Sequence, residues 1–243
     1  ALARANAANK DLKKVYDEAA REFLNRKITA KVPTKNQPKL DVADISLAAS
    51  PYPLAKNIKA AKNLEDQKKA ILSIAADPKE PRKMLQGVLV EPNKLVVTDG
   101  HRLAMYETNT GVKENTLLDK DGKVIDMQYP PYERIGEKAK NAKSYGMVNA
   151  TALGNYARGV RNAWKYISSD KNAPFSIQLE HGKTPIPFNA RYIEDMTNLF
   201  RQFGYEGFDI GYNDGGMLVA KSPDGKMTQY VMGMQNLNWT FQP

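Results

Sequence analysis

Residues 98–104 read Thr-Asp-Gly-His-Arg-Leu-Ala and follow an apolar run at residues 95–97. The run predicts a strand, and the dipeptide Asp99-Gly100 is typical of a tight turn. The apolar residues at 103–106 predict a second strand that leads away from this turn. The stretch therefore predicts a β-hairpin with a histidine and an arginine beside its turn.

Apolar residues recur at helical spacing in four segments, at residues 9–27, 64–76, 150–166 and 189–203. Short apolar or alternating runs predict strands at residues 86–91, 94–99, 102–107, 175–180, 208–212, 217–221 and 227–234. The polar segment 108–128 predicts a hairpin around Asp121-Gly122. Single helices followed by several antiparallel strands are typical of the α+β fold class.

The chain of 243 residues has a formal net charge of +9 and no cysteine. Residues 1–60 contain 12 basic and 6 acidic side chains and so supply +6 of that charge. This balance favours polyanionic partners such as nucleic acid. The lack of thiols excludes disulfides and thiolate metal sites and is compatible with the cytoplasm, where we expect the protein. Four prolines in residues 31–53 predict a linker or an extended segment, and no apolar run is long enough to predict a membrane span.

Few residues could carry catalysis. His101 is one of two histidines, and His181 has no metal-ligand spacing around it. No serine or cysteine lies in a nucleophile motif, and no glycine-rich loop opens a helix after a strand. We therefore expect no enzyme activity, no metal and no cofactor. Met217, Met232 and Met234 either fill the core or form an adaptable groove for apolar peptide side chains.

Three further fragments read Tyr-Pro-Pro-Tyr-Glu-Arg-Ile at 129–135, Phe-Asn-Ala-Arg-Tyr-Ile-Glu-Asp at 188–195 and Tyr-Val-Met-Gly-Met at 230–234. Together with residues 98–104, they resemble four segments of the bacterial DNA sliding clamp, the DNA polymerase III beta subunit, in the same order. The resemblance covers about residues 64–237 and is that of a shortened and divergent member. Gly233 stands where the family has proline. Only about twenty residues separate Glu107 from Tyr129, where the family has a further helix and strands.

The resemblance implies a DNA-clamp-like α+β fold with helices packed on antiparallel sheets and a helical N-terminal extension. It divides the chain into three parts. Residues 1–60 form a basic helical segment and linker, residues 61–137 a truncated clamp-like domain, and residues 138–243 a C-terminal clamp-like domain.

The resemblance also places the four fragments around one pocket that receives short peptide motifs from polymerases and other replication proteins. Apolar walls with a few polar side chains suit such a ligand. The residues carried over by position are Thr98, Gly100, His101, Arg102, Leu103, Pro130, Arg134, Ile135, Asn189, Tyr192, Val231, Met232 and Met234.

Basic residues on predicted helix faces either contact DNA phosphates without reading bases or only solvate the surface. They are Lys68, Lys69, Arg158, Arg161 and Lys165.

We therefore expect a non-catalytic replication accessory protein, a processivity factor that binds partner peptides and duplex DNA and oligomerises into a ring. The alternative is a monomeric clamp-derived adaptor or competitor that binds replication proteins without encircling DNA. A third hypothesis assigns DNA binding to the basic N-terminal helix.

Overall fold

The computed structural model describes residues 28–30, 58–167, 172–179, 186–213 and 215–234. The predicted helix at 9–27, the predicted linker at 31–53 and His181 lie outside the described residues. The side chain of Lys165 also lies outside the described part, although its backbone belongs to a helix.

Four α-helices occur in the described residues: α1 (Leu64–Ile71), α2 (Glu133–Ala139), α3 (Ala150–Ile167) and α4 (Ala190–Gln202). Short 3₁₀ helices occupy Leu72–Ile74 and Lys83–Gln86. The strands are β1 (Ile28–Ala30), β2 (Val88–Glu91), β3 (Lys94–Thr98), β4 (Arg102–Glu107), β5 (Thr116–Leu118), β6 (Lys143–Asn149), β7 (Pro174–Leu179), β8 (Ile186–Asn189), β9 (Gly207–Tyr212), β10 (Met217–Lys221) and β11 (Met227–Met232).

The strands form two sheets. Eight antiparallel strands follow the order β5-β2-β3-β4-β11-β10-β9-β6, and a three-stranded sheet has the order β1-β7-β8 with β1 parallel to β7. In the large sheet, β4 of the 98–104 hairpin pairs with the last described strand, so that Leu103 lies opposite Tyr230 and Arg102 opposite Val231. This pairing joins the two halves of the described chain into one sheet.

Side chains of the large sheet alternate between two faces, as the pleat of a strand requires. On the first face, which we call the helix face, Val97 and Val231 pack in a buried cluster with residues of α1, α3 and α4. On the second face, which we call the α2 face, Val96 and Tyr230 pack with α2 and the residues that precede it. Odd and even positions of a strand therefore lie on different faces, and the position of a residue decides whether its side chain faces the helices or α2.

Helices α3 and α4 are amphipathic and pack closely against each other. The predicted apolar stripe of α3, which includes Leu153 and Trp164, is buried on the helix face. The side chain of Asn189 caps α4 by accepting a hydrogen bond from the Arg191 N–H. Gly154 lets the helices approach, because a Cβ there would lie 2.5 Å from the Thr197 Oγ1. Tight packing of this pair sets the position of α4 against the sheet.

The predicted α+β class is confirmed, while several boundaries differ. The helix predicted at 64–76 ends at Ile71 and continues only as a 3₁₀ turn. The strand predicted from residue 86 begins at Val88, because the preceding residues form a 3₁₀ turn. The last strand ends at Met232 rather than at residue 234. Within the hairpin predicted at 108–128, β5 pairs with β2, and Leu118 at the end of β5 forms an antiparallel bridge with Val124.

Helix α2 and strands β1, β6 and β8 were not predicted. Strand β6 has no regular alternation, since its register shifts between Ser144 and Gly146. The predicted domain boundary at residue 138 falls inside α2, and this division stays a prediction. None of the described helices has the length and apolar character needed to cross a membrane.

Candidate functional site

The 98–104 turn is held by side-chain hydrogen bonds to its own backbone. The Asp99 Oδ1 accepts from the N–H groups of His101 and Arg102 at 2.9 and 3.0 Å. The Thr98 hydroxyl donates to the Arg102 carbonyl at 2.6 Å. Gly100 has a φ of 91°, a conformation that side chains with a Cβ rarely adopt. These bonds fix the direction in which the residues of the turn project.

Arg102 joins this turn to α4. Its Nε lies 2.9 Å from the Asp99 Oδ2 and its Nη1 lies 2.7 Å from the Asp195 Oδ2. The guanidinium carbon lies 4.5 Å from the centre of the Tyr192 ring, and the residue is 7% exposed. Burial, followed by the charge of Asp99, raises the pKa of Tyr192, so its hydroxyl stays protonated. The arginine is thus a buried anchor with two carboxylate partners.

A cleft of about 570 Å³, which we call the turn cleft, opens beside this turn on the α2 face. Its floor is apolar, and Leu103, Met217 and Tyr230 contribute to it. Burial raises the pKa of Tyr230, which keeps its hydroxyl protonated. The complete lining is Thr98, Gly100, His101, Arg102, Leu103, Ile135, Lys138, Asn141, Asn213, Gly215, Met217, Tyr230 and Met232.

Backbone and amide hydrogen bonds close the turn cleft from three sides. The Asn213 Nδ2 donates to the Lys138 carbonyl at 3.0 Å, and its Oδ1 accepts from the Met217 N–H at 2.9 Å. The Met232 N–H donates to the His101 carbonyl at 2.9 Å. The Asn213 bonds connect α2 to β10, and the Met232 bond connects β11 to the hairpin turn, so the cleft is a preformed feature of the fold.

The lining of the turn cleft contains no carboxylate. Arg102 is neutralised by its two aspartates, which leaves Lys138 as the fixed positive charge of the lining. An apolar cleft with a cationic rim suits an apolar ligand that carries hydrogen-bond acceptors or a negative charge.

The structure brings together seven of the thirteen residues predicted for the peptide pocket. Six others lie elsewhere. Val231 is buried on the helix face, because its parity on β11 is opposite to that of Met232. Asn189 caps α4, and its Nδ2 donates to Asn172. Met234 donates its N–H to the Pro187 carbonyl and does not line the cleft.

The other three residues also lie outside the turn cleft. Tyr192 stacks beneath Arg102 and lines a neighbouring cavity of about 870 Å³, which reaches the cleft at His101. Pro130 lines a separate groove near β5. Arg134 is exposed on α2.

Six lining residues were not assigned to the pocket from the sequence. Of these, Met217 was already interpreted as either a core or a groove residue. Tyr230 could have been found from strand parity, because it alternates with Val231, which faces the helices. Lys138 and Asn141 could not have been found from the sequence, since α2 and the residues that follow it carry no recognisable pattern. Asn213 and Gly215 belong to a turn whose partners lie far away in sequence.

The basic residues predicted for DNA contact are partly engaged within the protein. Arg158 and Arg161 each lie 2.8 Å from an oxygen of Glu194, which is 5% exposed. Lys68 pairs with Glu65 one turn away, whereas Lys69 is exposed on α1. The two arginines therefore cross-link α3 and α4 as well as adding positive charge.

The part of the chain that the structure describes contains no cluster of three or more His, Asp or Glu side chains that could hold a metal ion.

No family model matches the sequence, and comparison with curated proteins gives no match. The structure is similar to solved sliding clamps. The DNA polymerase III subunit beta from Pseudomonas aeruginosa aligns with a TM-score of 0.54 at 15% identity, over 77% of this chain and 70% of that chain. The DnaN sliding clamp from Bartonella birtlesii gives 0.57 at 16% identity, over 78% and 70%. The sliding clamp from Bacillus subtilis gives 0.54 at 13% identity, over 76% and 66%. The chain therefore has the sliding-clamp fold, as the four sequence fragments predict.

Proposed function

We propose that this chain is a non-catalytic accessory protein of DNA replication, located in the cytoplasm. It binds short peptide motifs of a DNA polymerase or another replication protein in the turn cleft. The observation that carries the proposal is the preformed apolar cleft at the junction between the two halves of the large sheet. The fold gives further support, because its structural neighbours are DNA polymerase III beta subunits and sliding clamps.

The chemistry of the turn cleft favours a peptide with an aliphatic and an aromatic anchor. Methionine side chains adapt their shape to different apolar partners, and Met217 and Met232 lie on opposite strands of the same lining. The Asn141 side-chain amide lies in the lining and provides a donor and an acceptor that orient a peptide backbone. Such a site binds without breaking or forming covalent bonds.

The absence of catalysis is part of the proposal. His101 lines the cleft, and its ring stacks on Tyr192 with 6.3 Å between the ring centres. The hydrogen bond from the His101 N–H to Asp99 fixes the backbone of this residue and does not orient its ring against a nucleophile. If the purified protein hydrolysed nucleotides or cut DNA and the His101→Ala variant did not, the non-catalytic function would be refuted.

We also propose that the outer surface of helices α1 and α3, on the side away from the sheet, contacts duplex DNA without sequence preference. The residues that would supply the positive charge are Lys68, Lys69, Arg158, Arg161 and Lys165. Because Arg158 and Arg161 share Glu194, their contribution is smaller than two free cations would give. Contacts of this kind release counterions, so affinity should fall steeply with salt.

A labelled peptide with an aliphatic-aromatic anchor tests the peptide site. We expect a dissociation constant on the order of micromolar, measured by fluorescence anisotropy. Met232→Ala removes a cleft side chain that is 44% exposed and available for contact. It should weaken binding by about 1–2 kcal/mol, or roughly five- to thirtyfold.

Met127→Ala is the matched control, because Met127 is 45% exposed and lies outside the turn cleft. This variant should bind the peptide like the unmodified protein. Equal affinity of the two variants, or no peptide binding by the unmodified chain, would refute the assignment of the cleft.

The second candidate function is the monomeric adaptor or competitor. The short connection between Glu107 and Tyr129 favours it, since this segment contributes only β5 in place of a further helix and strands. A ring requires a homo-oligomer, so light scattering at several concentrations separates the two functions. A monomer at every concentration that still binds the peptide would favour the adaptor.

A further inference from the structure

The methionine side chains of this chain differ widely in their exposure to solvent. The sequence has nine methionines, and all of them lie in the described residues. Met127 and Met232 are almost equally exposed, whereas Met196, Met217 and Met227 are buried and the other four are half-buried. A reagent in solution therefore reaches the sulfur atoms of Met127 and Met232 before those of the buried methionines.

Methionine thioethers are the only sulfur groups that this chain offers to an oxidant, because the sequence has no cysteine. Hydrogen peroxide transfers one oxygen atom to a thioether sulfur, which loses two electrons while the peroxide is reduced to water. The product, methionine sulfoxide, is polar and accepts hydrogen bonds, whereas the thioether is flexible and apolar. Methionine sulfoxide reductases reverse the step, so the modification can act as a switch.

Backbone hydrogen bonds hold Met232 at the turn cleft. Its N–H donates to the His101 carbonyl at 2.9 Å, and the N–H of Gly233 donates to the Gly216 carbonyl at 2.8 Å. Met232 also lies opposite Met217 in the register of β10 and β11. An oxidised side chain at this position therefore stays in the lining of the cleft unless these bonds break.

A sulfoxide at position 232 would place a hydrogen-bond acceptor beside the apolar floor of Leu103, Met217 and Tyr230. In the free protein, water solvates this oxygen, because the side chain of Met232 is exposed. An apolar anchor that binds in the cleft would remove that water. A polar group that loses water without gaining a hydrogen-bond partner opposes binding. Oxidation should therefore destabilise the complex and leave the free protein folded.

We propose that Met232 is a modification site, at which sulfoxide formation by peroxide weakens the binding of apolar ligands in the turn cleft. This inference rests on the proposed function, because it names a control of the same cleft. Met127 is equally open to peroxide but lines the separate groove near β5. Its oxidation leaves the lining of the turn cleft unchanged.

Mass spectrometry after brief treatment with hydrogen peroxide locates the sulfoxides and measures their rates of formation. Met127 and Met232 should be oxidised at least about tenfold faster than Met196, Met217 and Met227, because only the first two are strongly exposed. The circular dichroism spectrum should not change at this stage. A rate at Met232 no higher than that of the buried methionines would overturn the proposal.

Peptide binding measured by fluorescence anisotropy before and after peroxide tests the effect on the cleft. The unmodified protein should lose affinity by about tenfold. Met127→Leu, the matched control, should show the same loss. Met232→Leu has no sulfur at this position, so peroxide should leave the affinity of this variant as it was before treatment. Methionine sulfoxide reductases should restore the affinity of the oxidised unmodified protein.

Two results of the binding experiment would overturn the control by oxidation alone. They are an affinity of the unmodified protein that peroxide leaves unchanged, and a loss in Met232→Leu as large as that in the unmodified protein. No peptide binding before peroxide would refute the proposed function and its control together, so the two failures are distinguishable.

Discussion

The buried ion pairs of Arg102 predict that replacing this residue destabilises the fold. Arg102→Met keeps an apolar stem over the Tyr192 ring but removes the guanidinium that joins Asp99 to Asp195. The hydrogen bonds from the turn N–H groups to the Asp99 Oδ1 remain. The substitution therefore isolates the loss of the two ion pairs.

The expected cost follows from the exposure of the two carboxylates. Breaking a buried ion pair costs about 3–5 kcal/mol, because one charge stays buried without its partner. The Asp99 side chain is 11% exposed, whereas Asp195 is 28% exposed and retains Arg191 at 3.7 Å. Solvent and Arg191 partly compensate the charge of Asp195 when the guanidinium is removed. We therefore expect the substitution to lower the free energy of unfolding by about 3 kcal/mol.

Urea unfolding monitored by circular dichroism measures this change in the free energy of unfolding. Arg134→Met is the control, because Arg134 is exposed on α2. The control should lie within about 0.5 kcal/mol of the unmodified protein. A loss below about 1 kcal/mol for Arg102→Met would refute the view that this arginine anchors the turn to α4.

Three other predictions follow from single contacts. Gly100→Ala places a Cβ at a φ of 91° and should cost about 1–2 kcal/mol in the same urea experiment, and an unchanged midpoint would contradict the turn geometry. Burial raises the pKa of Tyr205 to about 12, so its contribution to stability is complete below pH ~10 and is lost as pH rises through about 12. Alkaline unfolding of Tyr205→Phe checks this, since the variant should lose less stability over that interval. Replacing Arg158 and Arg161 with Ala should reduce the salt slope of duplex binding by about one rather than about two, because both share Glu194. A full reduction of about two would show that both contact phosphates independently.

The fold could be predicted where periodicity was strong or where motifs were distinctive. Helices α3 and α4 and the hairpin of β3 and β4 were predicted within one or two residues, because their apolar residues follow a clear period. Strand β6 was missed since the register shift between Ser144 and Gly146 breaks its alternation. Helix α2 was missed because it is short and follows two prolines with no capping side chain.

The candidate site shows what motifs leave out. Residues of the hairpin turn that were assigned to the peptide pocket line one cleft, because they are neighbours in sequence and belong to one turn. Val231 and Met232 were both assigned to the pocket, but neighbouring residues on a strand face opposite sides of the sheet. The pairing register decides which of the two faces α2, and Val231 is the one that faces the helices. Lys138 and Asn213 meet through a backbone carbonyl, a contact that side-chain patterns do not encode.

Methionine methyl spectra recorded during a peptide titration test the central claim most directly. The chain has nine methionines, of which Met217 and Met232 line the turn cleft. Met196 and Met227 are buried on the helix face. We predict that a peptide with an aliphatic-aromatic anchor shifts the Met217 and Met232 resonances in proportion to saturation and leaves those of Met196 and Met227 in place. Saturating binding with no shift at Met217 or Met232 would contradict the account.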